Sequence, residues 1–194
     1  MKHILIHTLI LITLNASISA QNLLENGGFE INNGMVSKFG SPGLSINPWV
    51  IYGGEGGFIH NDYLGHNNSA WSVKLFDNHE TYLTQDFAAT AGRQYFVSGY
   101  TFVASNDPLE GKEAYVKLEW YSDTDGGLQI SSDIVAVLTS YTPLDRWVRF
   151  DGNANAPAGT IMGRLTILTK DTTDVNAAGS AGFDDLSVSL NFID

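Results

Sequence analysis

The sequence predicts an all-β chain, an antiparallel two-sheet β-sandwich or jelly roll. Three observations predict it. After residue 20, short alternating runs rich in Val, Tyr, Phe and Thr recur, and helical periodicity is nearly absent. Gly, Asn and Asp break these runs, and the 20 Gly of the 194 residues serve the turns. Strand centres often lie roughly 10–15 residues apart, which suits antiparallel hairpins rather than crossover helices.

The first twenty residues stand outside that pattern. Lys2 gives a positive start, Ile4 to Leu14 is almost wholly apolar, and Asn15–Ala20 (NASISA) ends in small residues. This predicts a secretory signal peptide over 1–20 with cleavage after Ala20. The apolar run is about 11 residues, shorter than the roughly 20 that span a bilayer. Loss of Lys2 takes the formal net charge from −11 to −12. No sorting tail precedes Asp194, so the expected location is the periplasm or the cell exterior.

Residues 21–194 are expected to form one domain. In chain order the candidate strands are 48–52 (PWVIY), 71–76 (WSVKLF), 81–87 (TYLTQDF), 94–103 (QYFVSGYTFV), 114–121 (AYVKLEWY), 133–138 (DIVAVL), 146–151 (RWVRFD), 161–168 (IMGRLTIL) and 182–190 (GFDDLSVSL). Alternation assigns their faces. In 114–121, Val116, Leu118 and Trp120 form a core face, while Tyr115, Lys117, Glu119 and Tyr121 share the other. In 161–168, Ile161, Leu165 and Ile167 are expected inside, with Arg164 and Thr166 outward. Trp120 and Trp147 are expected in the core. In 94–103 the phase is open.

Composition excludes several functions. Acids outnumber Lys and Arg by 21 to 10, so clustered phosphate contacts and adhesion to anionic lipid are not expected. Charged residues are only 16% and hydrophobic ones 43%, a folded rather than disordered composition. With no Cys, there are no disulfides, thiol nucleophiles, Cys-ligated metals or lipid-modified cysteine.

The start N-L-L-E-N-G-G-F-E (Asn22–Glu30) resembles the opening of jelly-roll carbohydrate-binding modules of families 4, 9 and 22, which share a galactose-binding-like fold. Pro48–Trp49, the segment Gln85–Thr101, the turn Ala156–Thr160 and the closing Gly182–Val188 (GFDDLSV) resemble later parts of those modules in order and spacing. The resemblance implies a polysaccharide or oligosaccharide partner. It also implies a structural Ca²⁺ held by the Gly28 carbonyl, the Glu30 carboxylate, a carbonyl near Lys74 and the Asp184 carboxylate. Such a donor set suits a hard cation. Asp185 alternates away from Asp184, so one of the pair is expected to face the ion.

Sugar rings have an apolar C–H face and a rim of hydroxyls, and call for aromatic platforms with charged or amide partners. Tyr115, Lys117, Glu119 and Tyr121 meet that description. Tyr100 and Arg164 are expected to join them from neighbouring strands if the sheet order follows the family. Trp49, Tyr52 and Trp71 form an alternative platform on loops.

Other patterns carry less. Asp123–Gly126 (DTDG) resembles the start of a calcium loop but lacks its third and twelfth ligands, so it reads as a hairpin turn. Asp171–Asp174 reads as a solvated loop, and His60, His66 and His79 lack zinc spacing. There is no G-x-S-x-G, no H-E-x-x-H and no phosphate loop. Glu113 and Glu119 lie about 20 Å apart along one strand at roughly 3.3 Å per residue, too far for a glycosidase pair. Pairing of Glu119 with Glu55 or Asp86 stays open. The expected function is therefore non-catalytic carbohydrate binding; a small jelly-roll hydrolase or lyase and a matrix protein that binds another protein are the alternatives.

Overall fold

The computed structural model describes residues 21–32, 37–39, 46–52, 57–60, 65–76, 81–172 and 177–191. The signal segment 1–20, Glu55 and His79 lie outside them. Among the described residues the strands are β1 (Ser37–Lys38), β2 (Val50–Tyr52), β3 (Gly57–His60), β4 (Ser72–Leu75), β5 (Thr81–Ala88), β6 (Gln94–Phe102), β7 (Lys112–Tyr121), β8 (Gln129–Leu138), β9 (Val148–Asn155), β10 (Met162–Asp171) and β11 (Ala181–Leu190). One 3₁₀ turn covers His66–Asn68. No helix among them is long and apolar enough to cross a membrane.

The strands form two antiparallel sheets, ordered β1-β3-β4-β11-β6-β9 and β2-β5-β10-β7-β8. This is the two-sheet jelly roll that the alternating runs predict. Every predicted strand is present, though β1 and β3 were too short to leave a pattern. β8 and β9 run longer than expected. β9 continues through Gly152-Asn153-Ala154-Asn155, a turn-like stretch that holds as an edge strand because β6 pairs it throughout. A Cβ on Gly152 would stand 3.1 Å from Val135 Cγ1, so the glycine lets β8 close over β9.

The core lies between the sheets. Val116, Leu118, Trp120, Leu165 and Ile167 are fully buried, as alternation requires. Trp120 meets Tyr95 at 5.3 Å between ring centroids, and its indole N–H donates to Asp133 Oδ2 at 2.8 Å. Two expectations fail. Ile161 is 46% exposed because the strand begins one residue later, at Met162. Trp147 is half-buried, since it precedes β9 and lies against the outer face of the six-stranded sheet, near Phe102 and Gly182.

Residues 22–28 close one end of the sandwich. Leu23 N donates to Val188 O (2.7 Å), Val188 N to Asn22 Oδ1 (3.0 Å) and Leu186 N to Gly27 O (2.9 Å). Gln85 in the other sheet bonds both backbone groups of Glu25, at 2.6 and 2.8 Å. The first segment thus ties β11 to β5.

Candidate functional site

The outer face of the five-stranded sheet carries most of the sugar-binding set expected from the sequence. Registers align residues into rows across the strands. One row runs Tyr52, Tyr82, Leu168, Tyr115, Val137; the next runs Val50, Thr84, Thr166, Lys117, Ile134; a third runs Asp86, Arg164, Glu119, Ser132. The sheet order therefore places Arg164 directly beside Glu119, as expected. The middle of these rows, Tyr82, Leu168, Thr84, Thr166, Lys117, Arg164 and Glu119, floors a groove of about 290 Å³ that Tyr121 and Gln129 also line, while Tyr115 lies beyond Leu168 and outside that lining.

Polar contacts within the floor fix its side chains. Arg164 donates from Nε to Asp86 Oδ1 (2.5 Å) and from Nη2 to Asp86 Oδ2 (2.9 Å). Its guanidinium carbon lies 4.9 Å from the centre of the Tyr121 ring. Glu119 Oε2 accepts from Thr166 Oγ1 (2.9 Å) and from the Tyr121 hydroxyl (3.2 Å). Lys117 Nζ sits 5.3 Å from the Tyr115 ring centre, and Tyr115 donates its hydroxyl to Glu113. That bond, more than burial, pushes the Tyr115 phenol up to about 12. Burial foremost, together with Glu119, also raises the Tyr121 phenol. Both hydroxyls stay neutral donors well above physiological pH.

The turn after β7 supplies a wall. Asp123 accepts from the backbone N–H groups of Asp125, Gly127 and Leu128 at 3.2, 3.0 and 2.9 Å. It is a hairpin anchor, as read from the sequence. Gly126, at φ +70°, places its Cα so close that a Cβ would stand 2.5 Å from Arg164 Nη2. The turn thus rests on the guanidinium.

Tyr121 is 5% exposed and so buried, whereas Tyr115, Lys117, Glu119 and Arg164 are half-buried. Tyr82, stacked on Tyr52 at 4.8 Å and 14°, was missed, although the alternation of 81–87 puts Tyr82, Thr84 and Asp86 on one face. The platform expected from Trp49, Tyr52 and Trp71 does not form. Trp49 is 4% exposed with its indole N–H on Asn26 O, Trp71 packs on the core, and Tyr52 belongs to the groove sheet.

Tyr100 does not join the groove. It lies on β6 in the other sheet, in register with Asp184 and Arg149. Alternation within a strand fixes its two faces but not the sheet it enters.

The residues expected to hold Ca²⁺ gather in part. Asp184 is fully buried; its Oδ2 accepts from His66 N (2.7 Å) and Ser69 Oγ (2.8 Å), and its Oδ1 from Asp185 N (2.7 Å). Burial pushes its carboxyl up to about 6 against these bonds. A Cβ on Gly28 would lie 3.6 Å from Asp184 Oδ1, 3.3 Å from Asp185 Oδ1 and 3.9 Å from Glu30 Cγ. So Gly28 and Asp184 meet, with the Glu30 side chain starting beside them and its Oε1 accepting from Trp71 N at 3.0 Å. Asp185 joins them rather than facing away: its φ of 50° and a bulge opposite Ser98–Tyr100 turn it back, with Oδ2 2.8 Å from His66 Nδ1. Lys74 is elsewhere. Its carbonyl lies against Gly57 and its ammonium pairs with Asp107 at 2.9 Å. Among the described residues no three His, Asp or Glu side chains stand at metal-binding separation. The DTTD stretch is not wholly a solvated loop either, because Asp171 ends β10, 3.8 Å from the buried Lys112.

No protein-family model matches the chain, and no curated protein matches it in sequence. Solved structures do match in fold. The enzymatically active domain of tailspike protein 4 of bacteriophage CBA120 aligns with a TM-score of 0.58 at 12% identity over 88% of this chain, which spans only 21% of that one. The module TmCBM61, solved with β-1,4-galactotriose, aligns at 0.55 and 20% identity over 89% of this chain and 100% of its own. The CBM22-2 xylan-binding domain of Paenibacillus barcinonensis Xyn10C aligns at 0.51 and 16% identity over 76% and 94%. The chain thus has the jelly-roll fold of carbohydrate-binding modules.

Proposed function

We propose that this chain is a secreted, non-catalytic module that binds polysaccharide in the groove of the five-stranded sheet. The observation that carries the reading is the groove itself. Half-buried Tyr82 lines it with an aromatic ring, and Tyr115 stands in the same row two strands away, while Lys117, Glu119, Thr166 and Gln129 present charged, hydroxyl and amide groups on the floor. A sugar chain needs that combination. The fold shared with TmCBM61, solved with β-1,4-galactotriose, supports it. Against catalysis stands the state of the two nearest acids. Asp86 is taken up by the Arg164 fork and Glu119 by two hydroxyls, so neither is poised as a general acid.

The test is retention of residues 21–194 on a panel of soluble and insoluble polysaccharides, read together with release of reducing ends or unsaturated products. Retention without product supports the reading. Product release would make the chain an enzyme, and capture of a protein with no glycan retained would make it a protein-binding matrix component.

The proposal includes a structural Ca²⁺ beside Gly28, held by Glu30, Asp184 and Asp185. It is supported by the Oδ1 atoms of Asp184 and Asp185, which both lie beside Gly28, and by the Glu30 side chain starting at the same place; carboxylate oxygens suit a hard cation. The ion would offset their mutual repulsion and clip the chain's two ends together. Stripping with a chelator should lower the melting temperature and calcium should restore it; an unchanged melting temperature in fully stripped protein counts against the ion.

A further inference from the structure

The six-stranded sheet carries a second aromatic surface on its own outer face. His66 stacks on Tyr100 at 3.3 Å between ring centroids and 15° between planes. Trp147 meets the His66 edge at 6.5 Å and packs on Phe102 at 5.4 Å. All four rings are half-buried. They arrive from separate places: the 3₁₀ turn His66–Asn68, strand β6 and the segment before β9. Gly182 of β11 leaves room for them, since a Cβ there would stand 3.3 Å from Phe102 Cβ and 3.6 Å from Trp147 Cη2.

Polar groups border the rings. The Asp185 carboxylate, 44% exposed, holds His66. The Lys74–Asp107 pair and Ser72 line the other side of Trp147. Arg149, 56% exposed, is the register neighbour of Tyr100. We infer that this face is a second carbohydrate-binding surface, taking one or two rings of an uncharged sugar. The module would then hold glycan on both of its outer faces.

Three observations choose that occupant. The dip beside Trp147 has a volume of about 10 Å³, room for about one water, so no apolar anchor of a protein partner can enter it. A flat C–H face resting on the rings needs no such pocket. The cations Lys74 and Arg149 at this border are each paired with a carboxylate, Asp107 at 2.9 Å and Asp151 at 3.3 Å, which disfavours polyanions. The rings sit on β6 and over Gly182 of β11, strands roughly 4.8 Å apart, a reach of a ring or two rather than a long chain.

The inference goes beyond the groove reading and does not depend on it. The test is two-dimensional NMR titration of residues 21–194 with β-1,4-galactotriose, xylohexaose, galactose, xylose and glucose. The expected result is a saturable shift of the Trp147 indole N–H with at least one of these sugars. Trp147→Ala, or Trp147→Phe if the first fails to fold, should remove the remaining shifts around Tyr100 and Gly182. Groove affinity in those variants should stay within about twofold. A Glu119→Gln, Tyr82→Ala double variant should lose groove shifts and keep those at Trp147. Shifts confined to the groove overturn this inference alone. No shift at either face with any of the five sugars overturns it and counts against the groove reading too.

Discussion

Arg164 and Asp86, neighbours across β10 and β5, are joined by two parallel hydrogen bonds of 2.5 and 2.9 Å, a fork-to-fork pair laid over the Tyr121 ring. Lysine can keep the charge at this position but not the planar two-pronged geometry. Arg164→Lys should therefore loosen Tyr121 and the 122–128 turn together. We expect glycan affinity to fall about tenfold, or about 1.4 kcal/mol, by calorimetry. Because Asp86 is 42% exposed, the pair adds at most about 1 kcal/mol to stability. The melting temperature should drop by no more than about 4 °C.

Tyr82 is a half-buried ring lining the groove, and Tyr115 is a half-buried ring in the same row, next to Leu168. Replacing either with Ala should cost on the order of 1–3 kcal/mol of affinity. Tyr121→Phe removes only a hydroxyl from the Glu119 and Arg164 network and should cost about 1 kcal/mol. Affinity electrophoresis on the retained polysaccharide ranks the three. A surface tyrosine without a ligand role would change nothing.

Gly126 tests the wall. Ala at φ +70° is strained, and its Cβ would stand 2.5 Å from Arg164 Nη2. Gly126→Ala should destabilise the protein by about 1 kcal/mol or more and weaken binding. Gly92, also at positive φ but with nothing within 4 Å of its Cβ position, is the control. Gly92→Ala should cost stability and leave affinity unchanged.

Alkaline pH tests the bond from Tyr115 to Glu113. The folded phenol is raised to about 12 from 10.0, so the unfolded chain loses that proton first. The associated stability is complete below about pH 10 and is lost as pH rises from about 10 to 12. Chemical denaturation across that window should show the loss, and Tyr115→Phe should reduce it.

Much of the groove was legible because a strand's alternation is a local property. Tyr115, Lys117, Glu119 and Tyr121 could be set against Val116, Leu118 and Trp120 from eight residues alone. Arg164 followed from its own strand's phase and a sheet order supplied by the resemblance. Tyr100 failed because the sheet that a strand enters depends on partners far away in sequence. Asp185 failed because a single bulge with positive φ cancels alternation, and an Asp-Asp pair does not announce one. Trp147 failed because its size favours burial, while its place before β9 puts it on an outer face. The aromatic surface it shares with His66 draws on three segments, so no one of them carried a signal.

Asn22 finds its partners at Leu186 and Val188, 164 and 166 positions further along. Gln85 can hold Glu25 early, but the bonds of Asn22, Leu23 and Gly27 have no partner until the last strand exists. Such non-local closure slows folding relative to chains built from local contacts. A growing chain cannot complete its own seal while still being made.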